Sequence, residues 1–238
     1  MSASTPRAPF WQGFRDGLPF LLVIAPFGLL FGVLATEAGL NILETLSFSV
    51  AVIAGAAQFT ALQLLNEQAP TLIVLASALA VNLRMAMYSA SLTPHIGAAP
   101  LWQRAVIAYF TVDQTYACAS MAFEKHSEWN TPQKVSYFLG AVMPVCPMWY
   151  AASVTGALIG TTIPEGLALD FAIPITFLAI IAPALRTAAH RVAALVSVLL
   201  SLAFSFLPYN LGVLVAGLGA MITGAQVELW VERWKGKA

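Results

Sequence analysis

The stretch that decides the fold is VAALVSVLLSLAFSFLPYNLGVLVAGLGAMITGAQV, residues 192–227, in which no side chain is charged over 36 residues. A helix needs about 20 apolar residues to cross the roughly 30 Å hydrocarbon core of a bilayer. The stretch is therefore long enough for two short spans, and the Pro-Tyr-Asn sequence at 208–210 predicts a turn between them. This pattern indicates a membrane protein.

The composition of the whole chain supports the same class. Apolar residues make up 59% of the chain and charged residues 9%, with a mean hydropathy of +0.80, whereas soluble domains carry about 25% charged residues. The formal net charge is zero, so no basic surface for nucleic acid is indicated. Cys118 and Cys146 lie in apolar segments and the histidines lack metal-ligand spacing, so we expect no disulfide framework, metal or other cofactor.

Charged residues mark the ends of further apolar segments. With the closing pair, these segments predict an all-α, polytopic transmembrane helical bundle of about eight segments, some of them broken by Pro or Gly. We expect a single transmembrane transporter domain over residues 1–238, with short polar ends at 1–16 and 228–238. The second segment, 45–66, either crosses the membrane or is re-entrant. The segments before the closing pair are predicted within residues 16–37, 44–67, 68–94, 105–123, 134–165 and 166–185.

The distribution of Lys and Arg predicts the orientation of the chain. Cytoplasmic loops are enriched in Lys and Arg, and with both termini in the cytoplasm nine of the eleven basic residues fall on that side, against Arg104 alone on the other. Arg84 lies within a span. We therefore expect the N-terminus and the C-terminus to be cytoplasmic. The nine residues are Arg7, Arg15, Lys125, Lys134, Arg186, Arg191, Arg233, Lys235 and Lys237.

A weak internal repeat is visible at an offset of 121 to 123 residues. Residues 26–39 resemble residues 147–160, and residues 48–59 align loosely with residues 171–182. Transporters are commonly built from two structural repeats with the substrate between them. Two apolar helices also match through composition alone, so both explanations stay open.

Prolines and glycines in the first span predict an irregular helix. Proline removes a backbone donor and clashes with the carbonyl four residues earlier, so Pro19 and Pro26 predict a kink or break near Pro26. Gly28 and Gly32 have the GxxxG spacing that lets another helix approach closely. These residues either serve packing alone or form a discontinuous helix whose freed amides face a small anion.

The run AGAAQF at residues 54–59 places small residues beside one side-chain amide. Gly55 and its neighbours permit close backbone approach, and Gln58 needs hydrogen-bond partners away from water. Gln58 is either an interhelical tie or, with Phe59, part of a ligand site for which the small residues leave room.

Two charged residues lie inside predicted spans, Arg84 within NLRMAMY and Asp113 within TVDQTY. An arginine at the centre of a span costs roughly 2.5–3.5 kcal/mol on insertion scales. A short loop joins the two spans, so an Arg84–Asp113 ion pair is the simplest way to offset that cost. The pair either fixes packing or marks a substrate or proton pathway, and Asp113 is the best candidate for proton coupling.

Four stretches of the chain carry a resemblance to a known family. They are the Pro/Gly-rich first span at 17–32, AGAAQF at 54–59, NLRMAMYSASL at 82–92 and DQTYA at 113–117. Together, and in this order, they resemble the AzlC family, whose members are also called YgaZ-like or BrnF-like. The resemblance extends over residues about 10–228.

The resemblance implies the large subunit of an exporter of branched-chain and other hydrophobic amino acids, such as valine, leucine, isoleucine and methionine, in a bacterial inner membrane. It also implies a partner, a small AzlD-like membrane subunit. Export is expected to draw on the proton-motive force through Asp113. The residues expected to bind the substrate are Pro26, Gly28, Gly55, Gln58, Phe59, Asn82 and Arg84.

Other functions stay open at the level of the sequence. A passive channel for small solutes would not concentrate its substrate. A structural membrane subunit would use the Arg84–Asp113 pair for packing alone. An intramembrane enzyme is the least favoured, because the motifs supply no set of nucleophile, base and oxyanion donors.

Overall fold

Helices account for nearly all of the chain that the structure describes. The computed structural model describes residues 7–162, 185, 187–208 and 211–235, and none of these residues lies in a strand. The all-α class is therefore confirmed. The helices are α1 Arg7–Gly17, α2 Leu21–Glu37, α3 Ile42–Ala51, α4 Gly55–Asn66, α5 Thr71–Ile96, α6 Leu101–Tyr109, α7 Asp113–Lys125, α8 Thr131–Gly160, α9 Ala188–Ala203 and α10 Leu211–Lys235, with a 3₁₀ turn at Leu18–Phe20.

Four described helices are long and apolar enough to cross a membrane. They correspond to the first, third, fifth and last predicted segments, and the first of them combines α1, the 3₁₀ turn and α2. The predicted sixth segment, 166–185, lies outside the described residues apart from Leu185. The four helices are Ala8–Glu37, Thr71–Ile96, Thr131–Gly160 and Leu211–Val231.

Two predicted spans are each divided into two half-helices. The second span consists of α3 and α4 with residues 52–54 between them, and the fourth consists of α6 and α7 with residues 110–112 between them. A helix break leaves backbone amides and carbonyls without partners in the helix. Such breaks are typical of the substrate and ion sites of transporters.

Of the kink or break predicted near Pro26, the break does not occur. Helix α2 runs without interruption from Leu21 to Glu37 with Pro26 inside it, and the helix changes instead in the 3₁₀ turn that contains Pro19. Pro26 is exposed, whereas other positions of α2 are buried. We attribute the continuity of α2 to its buried face, which packs on α8 and offsets the one hydrogen bond that proline removes.

Helices α1 and α2 pack closely on α8. A Cβ atom on Gly28 would lie 2.7 Å from the Cβ of Ala152, and one on Gly156 would meet the backbone of Leu29. A Cβ on Gly32 would meet the α8 backbone at Ser153 and Ala157, which follow Ala152 in the chain. Later residues of α2 therefore contact later residues of α8. The helices are therefore parallel, and the GxxxG pair in α2 serves the close packing that its spacing indicates.

The stretches matched as an internal repeat, residues 26–39 and 147–160, include most of α2 and the second half of α8. Their parallel packing is compatible with a repeat, because equivalent helices then run in the same direction. The other matched pair includes residues 171–182, which lie outside the described part of the chain. The internal repeat stays a prediction.

The chain divides into two compact units, and two of the three boundaries between them fall inside described helices, in α4 and in α5. The prediction of a single transmembrane domain stays a prediction. The first unit consists of residues 1–62 and 81–167, and the second consists of residues 63–80 and 168–238.

In the second unit, α9 packs on α10. Gly212, near the start of α10, lies against Phe204, which directly follows α9. A Cβ added to Gly224, further along α10, would lie 3.1 Å from the Cβ of Ala193, near the start of α9. The two helices are therefore antiparallel, as the two closing spans predict. An added Cβ on Gly217 would meet no atom within 4 Å.

Candidate functional site

The carboxylate of Asp113 is held by two side chains of α5. Arg84 Nη2 lies 3.1 Å from Asp113 Oδ2, and Tyr88 Oη donates a hydrogen bond of 2.9 Å to Asp113 Oδ1. Arg84 and Tyr88 are four residues apart, so both lie on the same face of α5. The charged side chains are half-buried, with 34% of Arg84 and 41% of Asp113 exposed.

The local structure of α7 places Asp113 at a helix N-terminus. Asp113 is the first residue of α7, where the helix dipole favours negative charge. The preceding break is ordered by Thr115, whose hydroxyl accepts a hydrogen bond of 2.9 Å from the Val112 amide and lies 2.8 Å from the Phe110 carbonyl oxygen, to which it donates. The break and the carboxylate are therefore built by one short segment.

Two tyrosines extend this polar centre along α5 and α7. The Tyr88 and Tyr116 rings stack with centroids 4.2 Å apart and planes 8° apart, and the Tyr116 hydroxyl lies 3.0 Å from Ser91 Oγ. We call Arg84, Tyr88, Asp113 and Tyr116 the charged centre. Two buried atoms of α5, Arg84 Nε in this centre and Asn82 Oδ1 two residues earlier in the chain, have no hydrogen-bond partner among the described residues, so α5 retains one donor and one acceptor.

A second polar group surrounds Gln58, which is fully buried. Its Nε2 lies 3.2 Å from Ser49 Oγ on α3, and Ser49 Oγ lies 3.1 Å from Ser153 Oγ on α8. Gln58 is therefore a tie between α4, α3 and α8, as one of the two alternatives from the sequence states. Its Oε1 atom has no partner among the residues that are described.

Aromatic rings enclose the second polar group. The Phe31 ring lies 5.7 Å from Phe48, 5.8 Å from Phe59 and 6.1 Å from Trp149, measured between centroids. The Trp149 ring also covers the start of α4, where an added Cβ on Gly55 would lie 3.0 Å from its edge. We call Gln58, Ser49, Ser153, Trp149 and these rings the glutamine centre.

Tyr109, the last residue of α6, links the two broken helices. Its hydroxyl donates to the carbonyl oxygen of Val50, in the last turn of α3, and lies 3.3 Å from the Tyr150 hydroxyl of α8. A carbonyl in the last turn of a helix has no partner within the helix. Tyr109, at the end of α6, therefore supplies a hydrogen bond to a carbonyl at the end of α3 that the helix itself leaves unpaired.

The predicted substrate residues do not form a single cluster of contacts. Gly55, Gln58 and Phe59 belong to the glutamine centre, and Arg84 belongs to the charged centre with Asn82 two residues before it. The roles predicted for them stay predictions. Pro26 is exposed on α2, and Gly28 packs against α8 next to the carbonyl of Trp149.

Several residues of these centres were not singled out from the sequence. Hydroxyl groups and aromatic rings are common in membrane helices, so their types carry little signal. Spacing offers a clue in two cases, since Tyr88 lies four residues after Arg84 and Tyr116 three residues after Asp113. The others are Ser49, Ser153, Trp149, Tyr109 and Tyr150.

A separate polar group lies outside the spans, at the turn between α7 and α8. His126 Nδ1 lies 3.1 Å from Glu128 Oε1, and His126 Nε2 lies 3.4 Å from Gln12 Nε2 of α1. A backbone hydrogen bond and the bond with His126 lower the pKa of the Glu128 carboxyl from its ordinary value. This group fixes the turn to α1 and is separate from both centres.

The family model described as AzlC protein matches residues 19–163. This range is more than half of the chain and includes both centres. The chain belongs to the AzlC family. The recognition made from the four motifs is thereby confirmed.

Curated relatives of this AzlC protein are membrane proteins by name. It is 26% identical over 194 residues to the inner membrane protein YgaZ of Escherichia coli (strain K12), which covers 75% of this chain and 76% of YgaZ. It is also 26% identical over 237 residues to an uncharacterized membrane protein of Archaeoglobus fulgidus, covering 94% and 98% of the two chains. A Helicobacter pylori (strain ATCC 700392 / 26695) membrane protein is 26% identical over 156 residues, or 64% and 66%. No solved structure matches.

The family membership, the relatives and the long apolar helices agree that this AzlC protein is a membrane protein. The predicted orientation of its termini stays a prediction.

Proposed function

We propose that this AzlC protein exports hydrophobic amino acids, with valine, leucine, isoleucine and methionine as its substrates, across a bacterial inner membrane. The proton-motive force drives export, and a small AzlD-like membrane subunit takes part. The observation that carries the proposal is the ion pair of Arg84 with Asp113 beside a helix break. The substrates, the partner and the inner-membrane location are supported by the resemblance of the four motifs.

The charged centre suits transport better than packing alone. Charged side chains inside a membrane are costly, and they tend to mark substrate or proton pathways. A packing role would need only one satisfied pair, whereas the buried Arg84 Nε of the same side chain has no partner among described residues. This donor can bind a ligand, which a purely structural pair would not need to do.

Asp113 is the proposed point of proton coupling. A proton on its carboxylate removes the negative charge opposite Arg84 and weakens the 3.1 Å contact between them. In an exporter driven by an inward proton gradient, the proton and the substrate move in opposite directions, so the substrate moves outward while Asp113 is ionised and paired with Arg84. A proton taken up from outside opens the pair as the substrate is released there, and loss of that proton to the cytoplasm restores the pair, which links the two movements.

Apolar surroundings are the proposed basis of substrate choice. Aromatic rings of Phe31, Phe48 and Phe59 line the glutamine centre, which suits an aliphatic side chain. Substrates that differ by one methylene are separated by only about 1–3 kcal/mol. We therefore propose a broad preference for hydrophobic amino acids rather than selection of one.

Efflux of labelled amino acids from intact cells tests the proposal. Cells expressing the chain, with and without a co-expressed small subunit, are loaded with radiolabelled valine, methionine or lysine. We expect efflux of valine and methionine above that of cells with an empty vector, and no increase for lysine. Equal valine efflux with and without the chain, in the presence of the small subunit, would contradict the proposal.

Counterflow in proteoliposomes distinguishes the exporter from a passive channel. Proteoliposomes that contain an exporter and are loaded with unlabelled valine take up labelled valine transiently to a concentration above that outside, because labelled and unlabelled valine use the same alternating site. A channel lets label only equilibrate. Equilibration without overshoot would assign the chain to the channel class.

A further inference from the structure

A buried chain of hydrogen bonds crosses three helices in the glutamine centre. Gln58 Nε2 of α4 lies 3.2 Å from Ser49 Oγ of α3, which lies 3.1 Å from Ser153 Oγ of α8, and Ser153 Oγ lies 2.8 Å from the carbonyl oxygen of Trp149. Gln58, Ser49 and Ser153 have no exposed surface. Which group donates in each of these bonds can be assigned from the carbonyl oxygen at the end of the series.

The Trp149 carbonyl sets the direction of the whole chain of bonds. A carbonyl oxygen only accepts, so the single hydroxyl proton of Ser153 is donated to it. Ser153 must then accept from Ser49, and Ser49 must accept from Gln58. Only the amide nitrogen of Gln58 can donate, so the amide is oriented with Nε2 towards Ser49. Gln58 Oε1 is left as a buried acceptor with no partner among described residues.

An unpartnered donor lies at the other end of the same hydrogen-bonded chain. Trp149 Nε1 is buried and has no hydrogen-bond partner in the part of the chain that is described. The ring of Trp149 lies against Gly55, which is three residues before Gln58 on α4. Proteins rarely leave buried polar groups unpaired, and such groups call for an explanation. One acceptor and one donor are therefore unsatisfied within one centre.

We propose that Gln58 Oε1 accepts from the ammonium group of a zwitterionic amino acid and that Trp149 Nε1 donates to its carboxylate. Ser49 and Ser153 are positioning residues, because they keep the Gln58 oxygen available. The inference rests on the transport function proposed above and names a headgroup site for its substrate. An α-amino acid carries N–H donors and a carboxylate acceptor on the same carbon, which complements the unsatisfied pair. The rings around Phe31 receive the apolar side chain.

The helix break gives the substrate a route to this site. Gln58 and Trp149 are buried in the conformation described, so a substrate reaches them when α3 or α4 moves relative to α8. Ser49 and Gln58 lie on opposite sides of the break at residues 52–54. Movement of either half-helix therefore also opens the hydrogen bond between them.

Ser153→Ala tests the positioning role. Without Ser153 as acceptor, Ser49 can donate to Gln58 Oε1, and the amide turns its nitrogen towards the substrate ammonium group. We expect the KM for valine to rise roughly tenfold or more, the size of a lost hydrogen bond to a charged group, while kcat stays near its original value. Initial rates of labelled valine transport in membrane vesicles, corrected for the amount of full-length protein, give both constants.

Thr155→Val is the matched control for that variant. The Thr155 hydroxyl donates a 2.8 Å hydrogen bond to the carbonyl of Ala151, four residues earlier on α8, just as Ser153 does to Trp149. Thr155 is exposed and lies outside the glutamine centre. Its loss removes an equivalent bond within the helix, and we expect no change in KM.

Gln58→Glu supplies a second test, by a change in specificity. A carboxylate at this position attracts an amine more strongly than an amide oxygen does. We expect isobutylamine, which is valine without its carboxylate, to inhibit valine transport at a roughly tenfold lower concentration than in the unaltered protein. Inhibition by 2-oxoisovalerate, which lacks the amine, should not strengthen. Where Ser153→Ala does not accumulate in the membrane, this test decides.

Two results separate the headgroup assignment from the transport function. If Ser153→Ala raises KM no more than Thr155→Val, and isobutylamine inhibits Gln58→Glu no better than the unaltered protein, the headgroup assignment is wrong while export stands. If the unaltered protein transports no valine at all, the proposed function itself is wrong.

Discussion

At the scale of single residues, Asp113 connects the electrostatics of the membrane interior with the proposed coupling. Its carboxylate is paired with Arg84 at 3.1 Å and bonded to Tyr88 at 2.9 Å. Each partner offsets part of the cost of keeping a charge out of water. Loss of one member leaves the others unsatisfied, so substitutions here act on stability and on transport together and need variants that separate the two.

Asp113→Asn removes the charge and keeps the size of the side chain. We expect transport of valine to fall at least tenfold and to lose its dependence on a proton gradient. Stability should fall by about 1–3 kcal/mol, because Arg84 loses a charged partner. The matched control is Glu128→Gln, which removes a carboxylate paired with His126 outside both centres. Full proton-dependent transport by Asp113→Asn would contradict the coupling role.

The double variant Arg84→Ala with Asp113→Ala separates packing from function. Removing both charges avoids the unpaired charge that either single substitution leaves. We expect the double variant to melt at a higher temperature than Asp113→Ala alone in detergent, and yet to remain inactive in valine transport. Recovery of both stability and transport would assign the pair to packing.

Sequence reasoning finds charged residues of this site more readily than its neutral ones. Arg84 and Asp113 stand out because each interrupts an apolar segment. Ser49 and Ser153 have no such contrast, and only the folded backbone brings them within 3.1 Å across 104 residues of chain. Their role depends on a long-range contact that local sequence does not encode.

At the scale of helices, neither connecting segment contains Pro or Gly, although Gly55 is the first residue after the first break. The connecting residues are Val-Ile-Ala at 52–54 and Phe-Thr-Val at 110–112, whereas Pro26 lies within a continuous helix. Tertiary contacts outweigh local propensity here. Thr115 caps one break, and Tyr109 satisfies the carbonyl of Val50 near the other. The sequence therefore predicts that broken spans exist and singles out segment 45–66 as irregular, but it places a break at Pro26 where α2 is continuous.

Tyr109→Phe tests the link between the broken helices. It removes the hydroxyl that donates to Val50 and leaves a helix-end carbonyl unsatisfied, so we expect a loss of about 1 kcal/mol in stability. Tyr150→Phe is the control, since it removes only a 3.3 Å contact with Tyr109 and keeps the bond to Val50. Thermal unfolding in detergent compares them, and equal melting temperatures would contradict the role given to Tyr109.

Gly32→Ala tests the close packing of α2 on α8. An added Cβ would overlap the backbone of α8 at Ser153, so the helices must separate, and we expect a loss of about 1–3 kcal/mol. Gly217→Ala is the matched helical control, because no atom lies within 4 Å of its added Cβ. That change should be neutral or stabilise the helix by about 0.5–1 kcal/mol. Similar melting temperatures of the two variants would contradict the packing.

At the scale of the whole molecule, the parallel packing of α2 on α8 constrains the topology. Two parallel membrane helices start on the same side, so the chain that joins the end of the first to the start of the second crosses the membrane an odd number of times. The eight-segment prediction meets this condition, and so does a chain in which residues 45–66 and 105–123 are both re-entrant. The order of the apolar segments could be predicted from the sequence. Which helices pack against each other, and whether they are parallel or antiparallel, can be read only from the folded structure.

Labelling of single cysteines with a membrane-impermeant maleimide tests this topology. Ala8→Cys lies at the start of the span formed by α1 and α2, and Ser127→Cys lies before α8. Ala38→Cys and Thr162→Cys lie after the ends of α2 and α8. We expect the first two to react from one side of the membrane, the cytoplasmic side by the distribution of Lys and Arg, and the last two from the other. Reaction of Ala8→Cys and Ser127→Cys from opposite sides would contradict the parallel arrangement.

The central claim, that this AzlC protein couples proton movement to amino acid export through Asp113, is tested most directly by accumulation in sealed inside-out vesicles. Labelled valine is supplied outside, and a proton gradient is imposed and then collapsed with a protonophore. We predict that the unaltered protein, with its small subunit, concentrates valine only while the gradient lasts, and that Asp113→Asn does not concentrate it. Valine that reaches the same level with and without the gradient, or an Asp113→Asn variant that concentrates it as well as the unaltered protein, would contradict the claim.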